Sequence, residues 1–267
     1  MSTGGVHRSA TAFSDAAAVY EQARPGYPPE ALAWLDDQLG LGPGRRVLDL
    51  AAGTGKLTRE LLARGATVVA VEPVEGMRRT LATAVPGAVV VAGVAQAIPL
   101  GTATVDAMTV AQALHWFAMP QAVGEMHRVL RPGSRLAVVW NRRDLSDPLQ
   151  ADLHRLMAPL QGDTPSGTSG EWQRALAEGA HGADRDGTEG TDGAACFEPE
   201  ARFETPWRQP TDVEGVARRV ASVSFVAALA NAERERFLEQ VRTAARRYPP
   251  PLTLPYTTEI YIYRRTD

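Results

Sequence analysis

The sequence predicts an α/β protein: a doubly wound, mostly parallel sheet with an N-terminal helical cap and further strands at the C-terminal end. Three observations predict it. Between Arg45 and Asn141, short β-branched apolar runs alternate with amphipathic stretches of helical length, which is the rhythm of βαβ units. The strand-like runs are almost continuously hydrophobic, as strands covered on both faces are. The first of them ends in a glycine-containing loop that opens a helix, and that junction lies at the carboxyl edge of such a sheet, where ligands bind.

Taken in order, Asp15–Gln22 and Glu30–Gln38 are expected helices, separated by Arg24-Pro25-Gly26-Tyr27-Pro28-Pro29, whose prolines forbid a continuous helix. Five strands are expected at Arg46–Leu50, Thr67–Val71, Ala88–Val91, Val105–Val110 and Arg135–Trp140. The helices between them fall at Lys56–Arg64, Val74–Ala84 and Pro120–Leu130, the last ended by a turn at Arg131-Pro132-Gly133. Residues 162–193 hold 8 of the 24 glycines among many Asp, Thr and Ser, so a flexible insertion is expected, with a short helix at Trp172–Glu178. Helices at Asp212–Ala221 and Asn231–Arg246 and an alternating strand at Leu254–Arg264 close the chain. The expected division is a cap over 1–40, a ligand-binding core over 41–160, the insertion over 161–200, and 201–267 completing the same domain.

Composition narrows the function. A net charge of −3 over 267 residues leaves no basic excess for nucleic-acid phosphates or anionic lipid. Apolar runs such as Ala66–Val71 are far shorter than the ~18 residues of a membrane span. The N-terminal MSTGGVHRSATAF lacks the apolar stretch of a secretory signal, and Cys196 has no second cysteine to pair with, so a reducing, cytoplasmic setting is expected. His7, His127, His154 and His181 are scattered without metal-ligand spacing, and no metal is expected.

The loop itself reads Val47-Leu48-Asp49-Leu50-Ala51-Ala52-Gly53-Thr54-Gly55. A triphosphate loop needs glycine where Leu50 stands and Ser or Thr where Leu57 stands. A dinucleotide loop needs its third glycine where Thr58 stands, which weakens a nicotinamide-dependent reading. Glu72, 19 residues after Gly53 at the end of the second strand, is placed to accept ribose hydroxyls. The alternative for Glu72 is a solvated strand-end carboxylate.

VLDLAAGTG, VEPVEGM, AGVAQAIPL, AQALHWF and HRVLRPGSRLAVVWN, in that order, resemble a class I S-adenosylmethionine-dependent methyltransferase. YEQARPGYPPEAL together with AQALHWF is similar to the small-molecule subgroup that includes trans-aconitate methyltransferase. The resemblance implies a seven-stranded Rossmann-like sheet, S-adenosyl-L-methionine as cofactor, and a small-molecule acceptor methylated at oxygen, nitrogen or carboxyl. It implies cofactor contacts from Tyr20 and Arg24, from Asp49, Ala51, Gly53 and Gly55, from Glu72, Pro73 and Met77, and from Ala95 and Gln112. Tyr27, His115, Trp116 and Phe117 would line the acceptor pocket.

Two departures stand out: Ala51 replaces a usual glycine, and Val94 replaces an acidic partner of the adenine amino group, leaving adenine to backbone near Ala95 and a wall such as Ile98. Asp49 can order the loop or take the cofactor's ammonium through water. His115 can act as general base or simply shape the pocket. A sensor that binds the cofactor without chemistry is the alternative function.

Overall fold

The computed structural model describes residues 23–178 and 195–267. The expected helix at Asp15–Gln22, Tyr20, His7, His181 and the middle of the insertion lie outside the described residues.

Helix α1 (Pro29–Leu39) is followed by β1 (Arg46–Leu50), α2 (Lys56–Ala63), β2 (Thr67–Val71), α3 (Glu75–Ala84), β3 (Val89–Val91), β4 (Val105–Ala111), α4 (Pro120–Val129) and β5 (Leu130–Arg143). Beyond these come α5 (Pro148–Gln161), α6 (Glu171–Glu178), β6 (Phe197–Thr211), α7 (Val213–Ala221), α8 (Ser224–Ala227), α9 (Asn231–Ala245) and β7 (Leu252–Arg265). Among the described residues the strands form one seven-stranded sheet in the order β3-β2-β1-β4-β5-β7-β6. The first five are parallel and β7 is antiparallel to both neighbours, so the Rossmann-like doubly wound architecture is as expected. Strand order reverses between β1 and β4, and a crevice opens beyond their carboxyl ends at such a switch point.

Alternate residues of the strands feed two apolar layers. Leu48, Leu50, Val69, Met108 and Val110 pack on one face with Val123 and Met126 of α4, while Val47, Val68, Ala107 and Val139 pack on the other with Leu57 and Leu61 of α2. Leu35 and Leu39 of α1 join that second layer, so this helix covers the sheet. A third cluster joins α5, α7 and α9 to the start of β7.

Three differences from expectation have local causes. Strand β6 begins at Phe197, inside the expected insertion, and its Pro199, Pro206 and Pro210 disguise it in sequence. Prolines are tolerated there because β6 is the sheet's edge, where missing N–H groups leave no ladder bond unmade. The Arg131-Pro132-Gly133 turn is absorbed into an irregular start of β5, with Gly133 at φ +69° and a register shift between Val105 and Ala107. The described part of the glycine-rich stretch is packed, not loose: Trp172 of α6 is 1% exposed, donates its Nε1 to the Gly167 carbonyl at 3.1 Å and meets Tyr261 edge-on at 5.2 Å. One large buried aromatic anchors a segment whose composition otherwise favours disorder.

Candidate cofactor and acceptor cleft

The β1–α2 loop forms the floor of the crevice. Ala51, Gly53 and Gly55 all have left-handed backbone, at φ +57°, +60° and +89°. For Ala51 that conformation is strained, and it explains why glycine is the usual residue there. A Cβ on Gly55 would lie 2.9 Å from Val85 and 3.0 Å from Leu81, so glycine is needed for space as well as for conformation. The loop is tied to β2 by the Ala52 N–H donating to Val71 O at 3.2 Å.

Glu72 is buried, not solvated, at the end of β2. Its Oε2 accepts from the Gly53 N–H at 3.0 Å and its Oε1 from Val74 N–H at 2.8 Å. Burial outweighs these donors and pushes its carboxyl up to about 7. Arg78 donates to the carbonyls of Glu72 and Pro73 at 2.9 and 2.5 Å, and Met77 lies against Gly53, its sulfur 3.8 Å from where a Cβ would sit.

Asp49 is also buried, with Oδ2 accepting from the Thr58 hydroxyl at 2.6 Å and Oδ1 from that of Thr109 at 2.9 Å. These bonds lock β1 to α2 and β4, which is the loop-ordering role; burial still raises the carboxyl to about 6. Thr58, fully buried and committed to Asp49, leaves no close approach of the kind a dinucleotide's third glycine allows.

One cleft collects Arg24, Pro25 and Tyr27 of the cap, Asp49 and residues 51–54 of the loop, Lys56 and Leu57, Ala111 and Gln112, and Asn141 and Arg219. Gln112 is strained at φ +60°, and its buried Nε2 has no partner. Thus Arg24, Tyr27, Asp49, Ala51, Gly53 and Gln112 are brought together, while Gly55 ends the loop and Glu72 and Met77 support it from behind.

Ala95 and Ile98 lie in the core against Val69 and Val71, where the Ile98 N–H donates to Glu125 at 2.8 Å. Phe117 is buried in that same core with Ala122 and Val123. His115 and Trp116 sit on a single 3-10 turn beyond Gln112. The His115 ring tilts against Trp116 at 4.7 Å and Trp140 at 5.4 Å, and its Nδ1 has no partner. Burial, aided by Arg24 and Arg142, pushes its imidazole down to about 3.

Sequence reasoning missed Asn141 and Arg219. Asn141 ends the apolar part of β5, so the sheet-edge rule that singled out Gln112 also reaches it. Arg219 arrives through tertiary packing of α7 and carries no local signal.

No group of His, Cys, Asp and Glu suited to a metal occurs among the described residues, and no described helix is long and apolar enough to cross a membrane.

Residues 48–138 match the family described as "Methyltransferase domain". An uncharacterized methyltransferase of Mycobacterium tuberculosis, Rv3342, is 52% identical over 132 residues, which are 49% of this chain and 53% of that protein. A methyltransferase-like protein of Schizosaccharomyces pombe is 36% identical over 161 residues, covering 60% of this chain and 63% of its own length. Demethylmenaquinone methyltransferase of Mycobacterium bovis is 46% identical over 102 residues, covering 38% and 42%. The matches to the mycobacterial Rv3342 protein span about half of that relative's length, 53%. Among solved structures, one from Anaeromyxobacter dehalogenans assigned as a type II methyltransferase superposes with TM-score 0.59 at 24% identity, covering 91% of this chain and 97% of that one. The YcgJ protein of Bacillus subtilis gives 0.53 at 16% identity, covering 89% and 99%. These two share the fold. Sheet order and the glycine loop agree with the match of residues 48–138 to a methyltransferase domain.

Proposed function

We propose that the chain transfers a methyl group from S-adenosyl-L-methionine to a small-molecule acceptor. The observation that carries this reading is the loop at 51–55, with three left-handed residues and the Glu72 carboxylate fastened to Gly53, set at the switch point of the sheet. The residues present suit the cofactor. Gln112 offers a buried amide nitrogen without a partner and Arg24 a guanidinium suited to a carboxylate. The narrower likeness to trans-aconitate methyltransferase and its relatives rests on the cap and the turn after β4, whose Arg24, Tyr27 and Gln112 share the cleft.

When bound, the cofactor supplies an electrophilic methyl on an already activated sulfur. The chain then has to orient and to exclude water. Tyr27 and Pro25 line the cleft, and the strained Gln112 is held by its N–H donating to Val139 O at 2.8 Å. His115 is neutral at physiological pH, and a group that takes a proton only near pH 3 gives little driving force for proton removal at pH 7. Alignment is therefore the catalytic contribution, and His115 shapes the acceptor side.

Calorimetric titration with S-adenosylhomocysteine, S-adenosylmethionine and NAD tests the reading, followed by a radiolabelled-methyl screen of small metabolites. Binding of the two sulfur compounds and labelling of a metabolite are expected. Binding of NAD alone overturns the proposal, and cofactor binding with no labelled product across the screen favours the sensor.

A further inference from the structure

A chain of hydrogen bonds crosses the sheet from its edge strand to the segment before α1. Trp207 Nε1 of β6 donates to Thr258 Oγ1 of β7 at 2.8 Å, Thr258 Oγ1 donates to Asn141 Oδ1 of β5 at 2.6 Å, and Asn141 Nδ2 donates to the Gly26 carbonyl at 2.8 Å. The direction of the chain is forced. An indole nitrogen can only donate, so the Thr258 hydroxyl accepts there and gives its one proton to Asn141. That proton holds the Asn141 oxygen toward Thr258 and leaves the amide nitrogen, a donor, facing Gly26.

Thr258 is fully buried and stands directly opposite Asn141 in the β5–β7 ladder. It interrupts an apolar row along β7. Leu254 and Tyr256 on one side belong to the cluster with α5, α7 and α9, and Ile260 and Ile262 on the other belong to the layer with α1 and α2. Valine has nearly the same shape and no polar group to satisfy, so packing at this seam does not call for a hydroxyl, whereas its two bonds do. The far end of the chain reaches the cleft: Asn141 lines it, and Gly26 stands between Pro25 and Tyr27, which line it too. Arg24 Nη2, donating to the Ser222 carbonyl at 2.8 Å, ties the same segment to α7. Pro25, Pro28 and Pro29 stiffen this backbone, so holding Gly26 also holds its neighbours.

We propose that Thr258 and Trp207 are positioning residues for the cleft: acting through Asn141, they hold Gly26 and so set where Arg24 and Tyr27 stand against the 51–54 loop. The ligand that reports this rests on the methyltransferase reading, in which Arg24 suits the cofactor's carboxylate and a loosened Gly26 is felt as weaker cofactor binding. None of the three linked side chains titrates near neutrality, so the hold does not vary with pH there.

The test compares Thr258→Val, Thr258→Ser, Asn141→Ala and the Thr258→Val/Asn141→Ala double variant of the full chain. Calorimetry reads S-adenosylhomocysteine affinity, and NMR reads the backbone order parameters of Gly26 and Tyr27 without ligand. Thr258→Val lowers both order parameters and weakens S-adenosylhomocysteine by ~5-fold, the scale of one directed hydrogen bond. Thr258→Ser, which keeps the hydroxyl, stays at wild-type values. In the Asn141→Ala background, Thr258→Val has no further effect on either readout, because its influence passes through Asn141. Should Thr258→Val fail to fold, Trp207→Phe probes the chain from its outer end by removing only the donor, and it weakens binding by ~2-fold. The proposal is overturned if the hydroxyl or the indole donor is lost with order and affinity unchanged, whatever happens to the melting temperature. It is also overturned if the losses from Thr258→Val and Asn141→Ala add in the double variant. A chain in which Thr258→Val loosens Gly26 but whose wild type binds no S-adenosylhomocysteine keeps the positioning role and breaks the methyltransferase reading, so the two fail separately.

Discussion

The two sides of the cleft are built by different routes. The loop side comes from one stretch of chain, β1–α2–β2, in which Asp49, Gly53, Gly55 and Glu72 lie within 24 residues of each other and build or bond directly to that loop or its helix. The other wall is assembled from residues far apart in sequence: Arg24, Gln112, Asn141 and Arg219 meet only after the segment before α1, β4, β5 and α7 have packed. Contiguous geometry resists change because each left-handed turn and buried carboxylate fixes the next. A surface gathered from distant elements can vary residue by residue without disturbing the loop, which suits a fold that serves many acceptors with one cofactor.

The largest expected effect tests whether the fold depends on the packed segment that carries α6. Trp172→Ala should destabilise the protein by ~3–5 kcal/mol, the usual loss for deleting a buried tryptophan, because Trp172 packs on both Trp140 and Tyr261. Denaturant unfolding measures this. A loss under about 1 kcal/mol would show that the segment lies on the fold without supporting it.

Next in size is Glu72→Ala, which attacks the contiguous side. It should weaken S-adenosylhomocysteine by ~1–3 kcal/mol, read by calorimetry, while the sheet persists. Its stability effect has a pH signature. The Glu72 carboxyl is raised from 4.5 to about 7 in the folded chain, so the folded state binds the proton more tightly than the unfolded state does. That contribution is fully present below about pH 4.5 and is lost as pH rises through 7. The stability gap between wild type and Glu72→Ala, measured without ligand, should therefore narrow from pH 5 to pH 8. A widening gap would mean the carboxyl is ionised at less cost than its burial implies.

Ala51→Gly is smaller and of opposite sign. Removing a Cβ from φ +57° relieves left-handed strain, partly offset by the greater freedom of glycine in the unfolded chain, for a net gain of about 0.5–1 kcal/mol in unfolding experiments. A loss of stability would show that the Ala51 methyl packs more favourably than its backbone is strained.

What could be read from the sequence follows the same division. The five parallel strands, the glycine loop and Glu72 were legible because periodicity and spacing are local. Strand β6 was not, since Pro199, Pro206 and Pro210 mimic a loop and only its edge position reconciles them with a sheet. That Phe117 packs in the core cluster with Ala122 and Val123 of α4 was not legible either, since its neighbour His115 suggests only the pocket. Arg219 could not be read at all, because what makes it a cleft residue is the docking of α7 beside Tyr256.

His115→Ala is expected to leave stability and cofactor binding least changed, and it distinguishes pocket shaping from proton transfer. The ring is tucked between Trp116 and Trp140, and burial with two nearby guanidinium groups holds it neutral down to about pH 3. A general base would lose ~10²–10⁴ in kcat on removal, together with an inflection near pH 6–7. A wall residue should lose about tenfold or less, through looser alignment of the acceptor, and the kcat profile should keep its shape between pH 5 and pH 9. Because His115 stands beyond Gln112 and touches neither the glycine loop nor Glu72, S-adenosylhomocysteine should bind the variant as it binds wild type. Loss of that binding in a folded variant would move His115 to the cofactor side, and loss of a kcat inflection near neutrality would restore it as a base.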